Sequence, residues 1–202
     1  SQYRYAQRMI NLMKRTGRIH TRAYGVENLP SEGGYIMYPN HQGKYDALGI
    51  MYAHDKPCCM VMDAKRSRMP LVTEFLDLVG GKRMNLNDAR QSIVLFREMA
   101  EEIKSQARKF IIFPEGGYDN NENTVFDFKP GAFKAAMMAK VPIVPVALVD
   151  SYKVFQGFSL RKVTTQVHFL KPLYYDDYKE MSTKEIAAEV RSQIEKKIAE
   201  AA

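Results

Sequence analysis

The 202-residue sequence contains only two cysteines, Cys58 and Cys59, and these are neighbours in the chain. Adjacent cysteines are too close for an ordinary disulfide or a Cys-x-x-Cys site, and on a strand their side chains point to opposite faces. A disulfide framework is therefore excluded. We expect two reduced thiols in a core strand, as is usual in a cytosolic protein.

Long hydrophobic runs are also missing. No run approaches the ~18 apolar residues that a bilayer-spanning helix needs, and the longest, residues 141–149, is interrupted by Pro142 and Pro145. The sequence has no signal-peptide pattern. It begins at Ser1 rather than Met, which fits either loss of the initiator Met or a preceding native segment, such as an anchor, that this chain does not include.

The sequence has no internal repeat, low-complexity tract or Pro/Ser-rich linker, and its length suits one domain that buries about 70% of its unfolded surface. With 46% hydrophobic and 26% charged residues, it has the composition of an ordinary globular protein. The formal net charge of +7 favours an anionic partner, such as nucleic acid, an acidic membrane surface or a phosphorylated substrate. Because no zinc-ligand spacing, RNP-like run or basic heptad region is present, nucleic acid is not expected.

The segment Asn40-His41-Gln42-Gly43-Lys44-Tyr45-Asp46 stands between an apolar run and a helical pattern. On one helix the His41 and Asp46 side chains would point about 140° apart. They can meet only if His41 lies in a turn and Asp46 in the first turn of the next helix, which the flanking sequence predicts. A carboxylate that accepts the Nδ1–H of a histidine leaves Nε2 free as a base. Considered alone, the spacing is explained more simply by a helix-capping Asp beside an ordinary loop His.

Apolar periodicity predicts strands that alternate with helices, which is typical of a single α/β domain with a largely parallel central sheet flanked by helices. The predicted strands are residues 21–26, 34–38, 58–62, 110–113, 141–148 and 163–170. The predicted helices are residues 3–15, 46–54, 70–78, 88–107 (capped by Asn87 and Asp88), 128–140 and the tail from Ser182. Residues 79–85, which include two glycines, are expected to break the regular structure.

Residues 1–20 are expected to contain an N-terminal amphipathic helix, ahead of a domain that spans residues 21–202. Between Tyr3 and Arg15, aromatic and long apolar side chains alternate with basic ones. This composition suits the edge of an anionic bilayer. It suits equally a helix that packs on the domain and exposes a solvated basic face.

Four short motifs follow one another along the chain. They are Asn40-His41-x4-Asp46, Gly80-Gly81-Lys82-Arg83, Phe113-Pro114-Glu115-Gly116 and Val141-Pro142-Ile143-Val144-Pro145-Val146, the last preceded by Phe128-Lys129-x-Gly131. In this order they resemble the glycerolipid acyltransferase family, and they are most similar to its 1-acyl-glycerol-3-phosphate acyltransferases. The resemblance extends from about residue 21 to about residue 172, which is most of the chain.

The resemblance implies roles for particular residues. His41 matches the general base of the family and Asp46 the carboxylate that orients it, while Glu115 and Gly116 match a motif tied to the acyl acceptor. That motif commonly reads Glu-Gly-Thr-Arg, but this chain has Glu115-Gly116-Gly117-Tyr118, so the arginine that helps to hold a phosphate is missing. The candidate substrate-binding residues are Asn40, Lys44, Lys82, Arg83, Glu115, Gly116, Gly117 and Lys129, of which the four cations are candidates to replace that arginine.

The resemblance also implies a reaction and a location. A thioester donor, acyl-CoA or acyl carrier protein, would give its acyl group to the free hydroxyl of the lysophospholipid 1-acyl-glycerol-3-phosphate and yield phosphatidic acid, without a cofactor or metal. The protein would work on the cytoplasmic face of an anionic membrane, either peripherally or anchored by a segment outside this chain. Direct transfer is expected, because no Gly-x-Ser-x-Gly elbow is present and neither cysteine has an obvious partner histidine.

Three other functions remain open at this level. The chain could be an acyltransferase for glycerol-3-phosphate or another lysophospholipid, since the same base serves any hydroxyl. It could be a non-catalytic lipid-binding module at a membrane surface, which the missing arginine favours and the intact His-Asp pair disfavours. A metal-dependent hydrolase that uses His41, Asp46, Asp63 and Glu115 lacks any supporting His-rich spacing. The other histidines, His20, His54 and His168, are expected to be structural.

Overall fold

The protein folds around one mixed, mostly parallel β-sheet with helices packed against it. The computed structural model describes residues 2–85, 88–156 and 162–202. The strands are β1 (Ile19–Tyr24), β2 (Tyr35–Pro39), β3 (Cys59–Asp63), β4 (Lys82–Met84), β5 (Lys109–Ile111), β6 (Ile143–Val149) and β7 (Val163–Phe169). The helices are α1 (Gln2–Thr16), α2 (Asp46–Ala53), α3 (Val72–Leu78), α4 (Ala89–Gln106), α5 (Lys134–Ala139), α6 (Tyr175–Tyr178) and α7 (Thr183–Ala201).

The seven strands lie in the order β1-β7-β6-β2-β5-β3-β4. All neighbours are parallel except β6 and β7, which are antiparallel. The strands β6, β2, β5, β3 and β4 therefore share one direction, and their carboxyl ends meet at one edge of the sheet. In open α/β sheets this edge is where ligands bind. The predicted class, a largely parallel α/β domain flanked by helices, is confirmed.

The two central strands, β2 and β6, are buried on both faces, which is why continuous apolar runs mark them in the sequence. Every residue of β2 and every residue of β6 is buried. Strands covered on both faces read as continuous apolar runs rather than as alternating patterns. The tail helix α7 shows the other period: Ile186, Val190, Ile194 and Ile198 are buried, and α7 packs against β6.

Side-chain hydrogen bonds cap the first turns of two helices, α7 and α4. The α7 helix begins with a capping box in which Ser182 and Glu185 each bond to the other's backbone N–H. Asp88 caps α4 through the N–H groups of Arg90 and Gln91. The second predicted cap, Asn87, lies outside the described residues.

Two local predictions were wrong. Residues 79–85 do not simply break the regular structure, because Lys82–Met84 forms strand β4 and pairs with β3. The glycine pair obscured this three-residue strand. The helix predicted from residue 70 begins only at Val72, since Leu71 has a φ of 68° and stops the helix from extending back to Pro70.

The N-terminal helix α1 packs on the domain through its buried residues Ala6 and Ile10, and it contacts α2, α3 and β1. Three of its other apolar side chains face outward: Tyr5, Met9 and Leu12 are more than half exposed. Within residues 2–85, 88–156 and 162–202, no helix is both long and apolar enough to cross a bilayer.

The two cysteines are free and buried, as expected from their spacing. Cys58 lies just before β3 and Cys59 is its first residue. Burial raises the pKa of Cys58 to about 12 and that of Cys59 to about 11, so both thiols are protonated at neutral pH. Cys58 and Cys59 are therefore unreactive thiols in the core.

Candidate active site

The site lies at the carboxyl edge of the sheet, where segments following four strands meet. His41 follows β2, the segment that includes Arg66 follows β3, and residues 113–118 follow β5. Ser151 follows β6 at the start of a short 3₁₀ turn. Because these strands are parallel and adjacent, residues far apart in sequence are brought together here.

His41 and Asp46 form a hydrogen-bonded pair, with 2.7 Å between His41 Nδ1 and Asp46 Oδ2. His41 lies in the turn after β2, and Asp46 is the first residue of α2. Since an ionised carboxylate only accepts, Nδ1 carries the proton and donates it. The other ring nitrogen, Nε2, has no hydrogen-bond partner among the described residues, and His41 lines the adjoining cavity. This is the geometry of an oriented base.

The Asp46 carboxylate is almost completely buried, and donors surround it. Besides His41, the backbone N–H groups of Gln42 and Gly43 donate to Oδ2, at 2.6 and 2.9 Å. The Ser151 hydroxyl donates to Oδ1. The position at the first residue of a helix adds a favourable dipole. These donors hold the carboxylate in a fixed orientation.

Glu115 holds the His41 turn rather than opening towards a ligand. Its Oε1 accepts the backbone N–H of His41 at 2.7 Å, and its Oε2 accepts that of Phe126 at 3.0 Å. The side chain is buried, and burial raises the pKa of Glu115 to about 7. The next residue, Gly116, has a φ of 74°, a conformation that favours glycine.

Two aromatic rings hold the His41 imidazole between them. Phe113 stacks on one face with 4.1 Å between ring centroids, and Tyr118 meets the imidazole edge-on at 4.6 Å. Burial raises the pKa of the Tyr118 hydroxyl, which therefore stays protonated at neutral pH. The rings restrict the imidazole to one orientation and exclude water from part of its surface.

An apolar cavity of about 440 Å³ opens beside His41. It is lined mainly by apolar side chains, with methionines from several elements: α1 contributes Met9 and Met13, β3 contributes Met60 and Met62, and β4 contributes Met84. Methionine side chains are flexible and fill irregular space around varied ligands. The few polar groups in the lining are His41, Lys44, Asp63, Arg66 and Tyr118. The cavity therefore suits a long apolar chain with a polar group at the His41 end.

Three cations lie around the mouth of the site. Lys44 and Arg66 line the cavity. A side-chain carbon at position 117 would lie 3.9 Å from Arg66 Nη2, and one at position 116 would lie 2.5 Å from Lys129 Nζ. Arg66 and Lys129 therefore flank the Gly116-Gly117 pair. Within the described part of the chain, none of the three cations forms an ion pair with a carboxylate.

The other candidate binding residues lie away from the cavity. Asn40 is fully buried, and its side-chain amide exchanges hydrogen bonds with the Leu148 backbone at 3.1 and 2.7 Å. Lys82 is paired with Glu102. Arg83 is paired with Asp77 at 2.7 Å. Asn40 thus ties β2 to β6, and the two cations face acidic partners on α3 and α4.

Several residues of the site were missed at the sequence level. Asn121 donates to the His41 carbonyl at 2.9 Å, and Asn123 accepts from Gln42 at 2.8 Å. Arg66 lies in the basic run Lys65-Arg66-Ser67-Arg68, which by itself is more typical of a solvated face, and no motif surrounds Ser151. The Asn-rich loop after β5 was a usable hint, because asparagine side chains commonly bond to nearby backbone in such loops.

The remaining histidines are placed away from the cavity. His54 is fully buried between the Tyr35 hydroxyl, at 2.6 Å from Nε2, and the Lys56 carbonyl, at 2.6 Å from Nδ1. Burial lowers the pKa of His54, so the imidazole is neutral at neutral pH. His20 lies exposed on β1, and His168 stacks on Tyr24 at 4.6 Å.

Comparison with known proteins agrees with this fold. The Acyltransferase family model matches residues 20–149. The chain is 34% identical over 135 residues to a Caenorhabditis elegans protein named as a 1-acyl-sn-glycerol-3-phosphate acyltransferase, acl-2, covering 65% of this chain and 46% of that one. It is 27% identical over 202 positions to the 1-acyl-sn-glycerol-3-phosphate acyltransferase of Saccharomyces cerevisiae, covering 96% of this chain and 65% of that one.

A solved structure matches as well. The crystal structure of the 1-acyl-sn-glycerophosphate acyltransferase PlsC from Thermotoga maritima superposes with a TM-score of 0.78 at 17% identity, covering 98% of this chain and 79% of that one. The family match spans well over half of the sequence. The chain belongs to the acyltransferase family. It spans about half to two thirds of the length of the worm and yeast relatives.

Proposed function

We propose that this protein transfers a fatty acyl group from a thioester donor to the free hydroxyl of 1-acyl-glycerol-3-phosphate, giving phosphatidic acid. The observation that carries the proposal is the His41–Asp46 pair: among the described residues His41 Nε2 has no hydrogen-bond partner, and His41 lines an apolar cavity. The names of the curated relatives support the same activity. A binding module would have no need of an ordered base.

The proposed reaction is a direct transfer. The acceptor oxygen bonds to the thioester carbonyl carbon, the carbon–sulfur bond breaks, and the hydroxyl proton passes to His41 Nε2 and then to the leaving thiolate. Asp46 stabilises the imidazolium that forms between these steps. A positioned base of this kind contributes about 10²–10⁴-fold to the rate. The proposal calls for no cofactor or metal, so a chelator should leave the activity unchanged.

The apolar cavity would hold the fatty acyl chain that is transferred. Its lining contributes little polar surface except at the His41 end, where the thioester carbonyl would lie. The thiol part of the donor, whether CoA or acyl carrier protein, would stay outside. Both donors are anionic and suit the net charge of +7.

The acceptor phosphate would be held by Arg66, Lys44 and Lys129. Lys44 and Arg66 line the cavity, and Arg66 and Lys129 flank the Gly116-Gly117 pair. In the described part of the chain none of the three has a carboxylate ion-pair partner. They take the place of the arginine that the third motif lacks. Lys82 and Arg83 are poorer candidates, because each already has a carboxylate partner away from the cavity.

The protein would act at the cytoplasmic face of an anionic membrane. Tyr5, Met9 and Leu12 on α1 and Met69 and Leu71 before α3 are strongly exposed apolar side chains, and three of them (Met9, Met69 and Leu71) also line the cavity. Leu71 is 82% exposed and has a positive φ, which is costly for a leucine and indicates a functional constraint. Such a rim would let a lipid chain pass from the bilayer into the cavity.

The decisive experiment measures thiol release from acyl-CoA and from acyl carrier protein with 1-acyl-glycerol-3-phosphate, glycerol-3-phosphate and neutral lysolipids. We expect release that depends on the phosphorylated lysolipid and falls about 10²-fold or more in His41→Ala. The exposed His20→Ala is the matched control and should keep its activity. Equal activity of the two variants, or a burst of covalently acylated protein, would exclude this mechanism.

A second acceptor remains a specific candidate because Tyr118 stands where the family commonly has arginine. A different lysophospholipid headgroup would then be preferred, with the same base and the same donor. The acceptor panel in the assay above distinguishes the two. Folded protein that is inactive with every donor and acceptor in the presence of lipid would favour the non-catalytic lipid-binding module.

A further inference from the structure

Behind the His41–Asp46 pair lies a buried polar network that reaches from the turn after β2 to the end of β6. Ser151 and Gln42 are both nearly inaccessible to solvent. The Gln42 side-chain amide donates to the Leu148 carbonyl at 3.0 Å and to Asn123 Oδ1 at 2.8 Å. Since a backbone carbonyl only accepts, the Gln42 amide nitrogen is fixed on that side and its oxygen points to Ser151.

The single hydrogen of the Ser151 hydroxyl has two possible acceptors, Asp46 Oδ1 and Gln42 Oε1, the latter at 2.9 Å. Gln42 Oε1 already receives the backbone N–H of Ser151 at 3.0 Å. Gln42 Oε1 therefore already has a donor, and a carboxylate oxygen is the stronger acceptor, so the hydroxyl donates to Asp46. Gln42 therefore orients Ser151, and Ser151 in turn orients Asp46.

The two oxygens of Asp46 are held in different ways. Oδ2 accepts from His41 and from two backbone N–H groups. For Oδ1, Ser151 is the only donor within residues 2–85, 88–156 and 162–202. Without it, the carboxylate would keep its anchor on one oxygen and could rotate about its Cβ–Cγ bond, because an unsatisfied buried oxygen seeks another donor.

We propose that Ser151 is a positioning residue for the acyl transfer: it locks the Asp46 carboxylate in the orientation that keeps the proton of His41 on Nδ1 and leaves Nε2 free. This inference rests on the proposed function only for its kinetic consequence. The orientation of the imidazole is a property of the free protein. No known motif of the sequence includes this serine, and it acts through Asp46 without touching the substrate.

The test compares Ser151→Ala, Ser151→Thr and Tyr178→Phe with the wild-type protein. Tyr178→Phe is the matched control: it also deletes one buried hydroxyl, which donates to the Val141 carbonyl at 2.6 Å near the amino end of β6. We expect kcat to fall about 10- to 100-fold in Ser151→Ala with KM for both substrates nearly unchanged. Ser151→Thr, which keeps the hydroxyl, should restore kcat to within about threefold of wild type, and Tyr178→Phe should leave kcat unchanged.

A second readout needs no substrate. Nitrogen-15 NMR distinguishes the tautomers of the four histidines. We expect one His41 tautomer, with the proton on Nδ1, in the wild type and in Tyr178→Phe, and a mixture of tautomers in Ser151→Ala. If Ser151→Ala does not fold, Ser151→Cys replaces the strong donor by a weak one of similar size.

An unchanged His41 tautomer together with an unchanged kcat in Ser151→Ala would overturn the inference while leaving the proposed function intact. Wild-type protein without transferase activity would instead remove the proposed function. In that case the tautomer measurement alone decides whether Ser151 positions the pair.

Discussion

Glu115 shows how the role of a residue can differ from the role that its motif suggests. The resemblance ties this carboxylate to the acyl acceptor, but both of its oxygens accept backbone N–H groups, from His41 and Phe126. It therefore holds the His41 turn through the backbone. Whether it also touches the acceptor during the reaction stays a prediction.

The buried state of Glu115 predicts a pH dependence of stability. Its pKa is raised from 4.5 to about 7 by burial, so the folded state binds more protons than the unfolded chain between these values. The stabilisation from protonation is complete below the unfolded pKa and is lost as the pH rises through about 7. In Glu115→Gln this contribution is absent. The free energy of unfolding of wild type relative to Glu115→Gln should thus decrease by up to about 3 kcal/mol between about pH 5 and about pH 8.

Chemical denaturation at several pH values measures this difference, with the exposed Glu180→Gln as the control. Glu180→Gln gives the pH dependence that follows from removing an exposed carboxylate, against which the Glu115→Gln result is compared. A constant difference for Glu115→Gln as well would mean that its carboxylate ionises normally in the folded protein.

Arg66 offers a second prediction at the level of single residues. Arg66→Met should raise KM for the phosphorylated acceptor about 10- to 100-fold, because a charged hydrogen bond to phosphate is lost, with little change in kcat. Arg68→Met is the matched control, since Arg68 is exposed in the same short turn but does not line the cavity. Steady-state kinetics with varied acceptor gives both values. Equal KM values in the two variants would remove Arg66 from the phosphate site.

The N-terminal helix α1 packs on the domain and still exposes apolar side chains. Ala6 and Ile10 pack into the core, so the helix is part of the folded domain. Met9 and Met13 line the cavity, while Tyr5 and Leu12 are exposed beside basic residues. Packing on the domain therefore does not use all of its apolar surface.

This arrangement predicts a membrane contact that one substitution weakens. Leu12→Asp should lower partitioning onto anionic vesicles about tenfold or more, because it removes a side chain whose burial is worth about 1.5–3 kcal/mol and adds a repelled charge. Its exposure, 64%, means that the fold should keep its stability. Val94→Asp on α4, where Val94 is 55% exposed, is the control. Co-sedimentation at low salt measures both, and equal loss in the two variants would count against α1 as the contact.

At the scale of the whole molecule, the cavity exists only because separate elements enclose it. Helix α1, helix α3 and the strands β3 and β4 each contribute part of the lining. A bulky residue on one of these elements should therefore change which acyl chains fit, without touching His41.

Met84 on β4 provides the test. Met84→Trp should lower kcat/KM for long-chain donors about tenfold or more relative to short-chain donors, because the larger side chain takes space from the chain. Met84→Leu, which conserves volume, should keep the wild-type preference. Assays with donors of increasing acyl-chain length measure this preference. If the substitution instead changed the preference for the length of the acceptor's acyl chain, the cavity would bind the acceptor rather than the donor.

The sequence by itself determined what depends on short stretches of chain. The apolar runs of β2 and β6, the i, i+4 pattern of α7 and the His41–Asp46 spacing each involve neighbours in sequence, whose geometry follows from the period of a strand, a helix or a turn. The short strand β4 and the start of α3 were misjudged, because glycines and a positive φ at Leu71 interrupt those patterns. The first strand also lies two residues earlier than predicted, and the helix predicted from residue 128 is α-helical only over Lys134–Ala139.

Tertiary structure decided which residues surround the His41–Asp46 pair. Lys82 and Arg83 follow a motif glycine pair, yet β4 places them beside Glu102 and Asp77. Arg66 and Ser151 carry no recognisable motif, yet the parallel order of the strands brings them to the cavity and to Asp46. Contacts between residues about 100 positions apart depend on strand order and crossovers, which local sequence patterns do not encode.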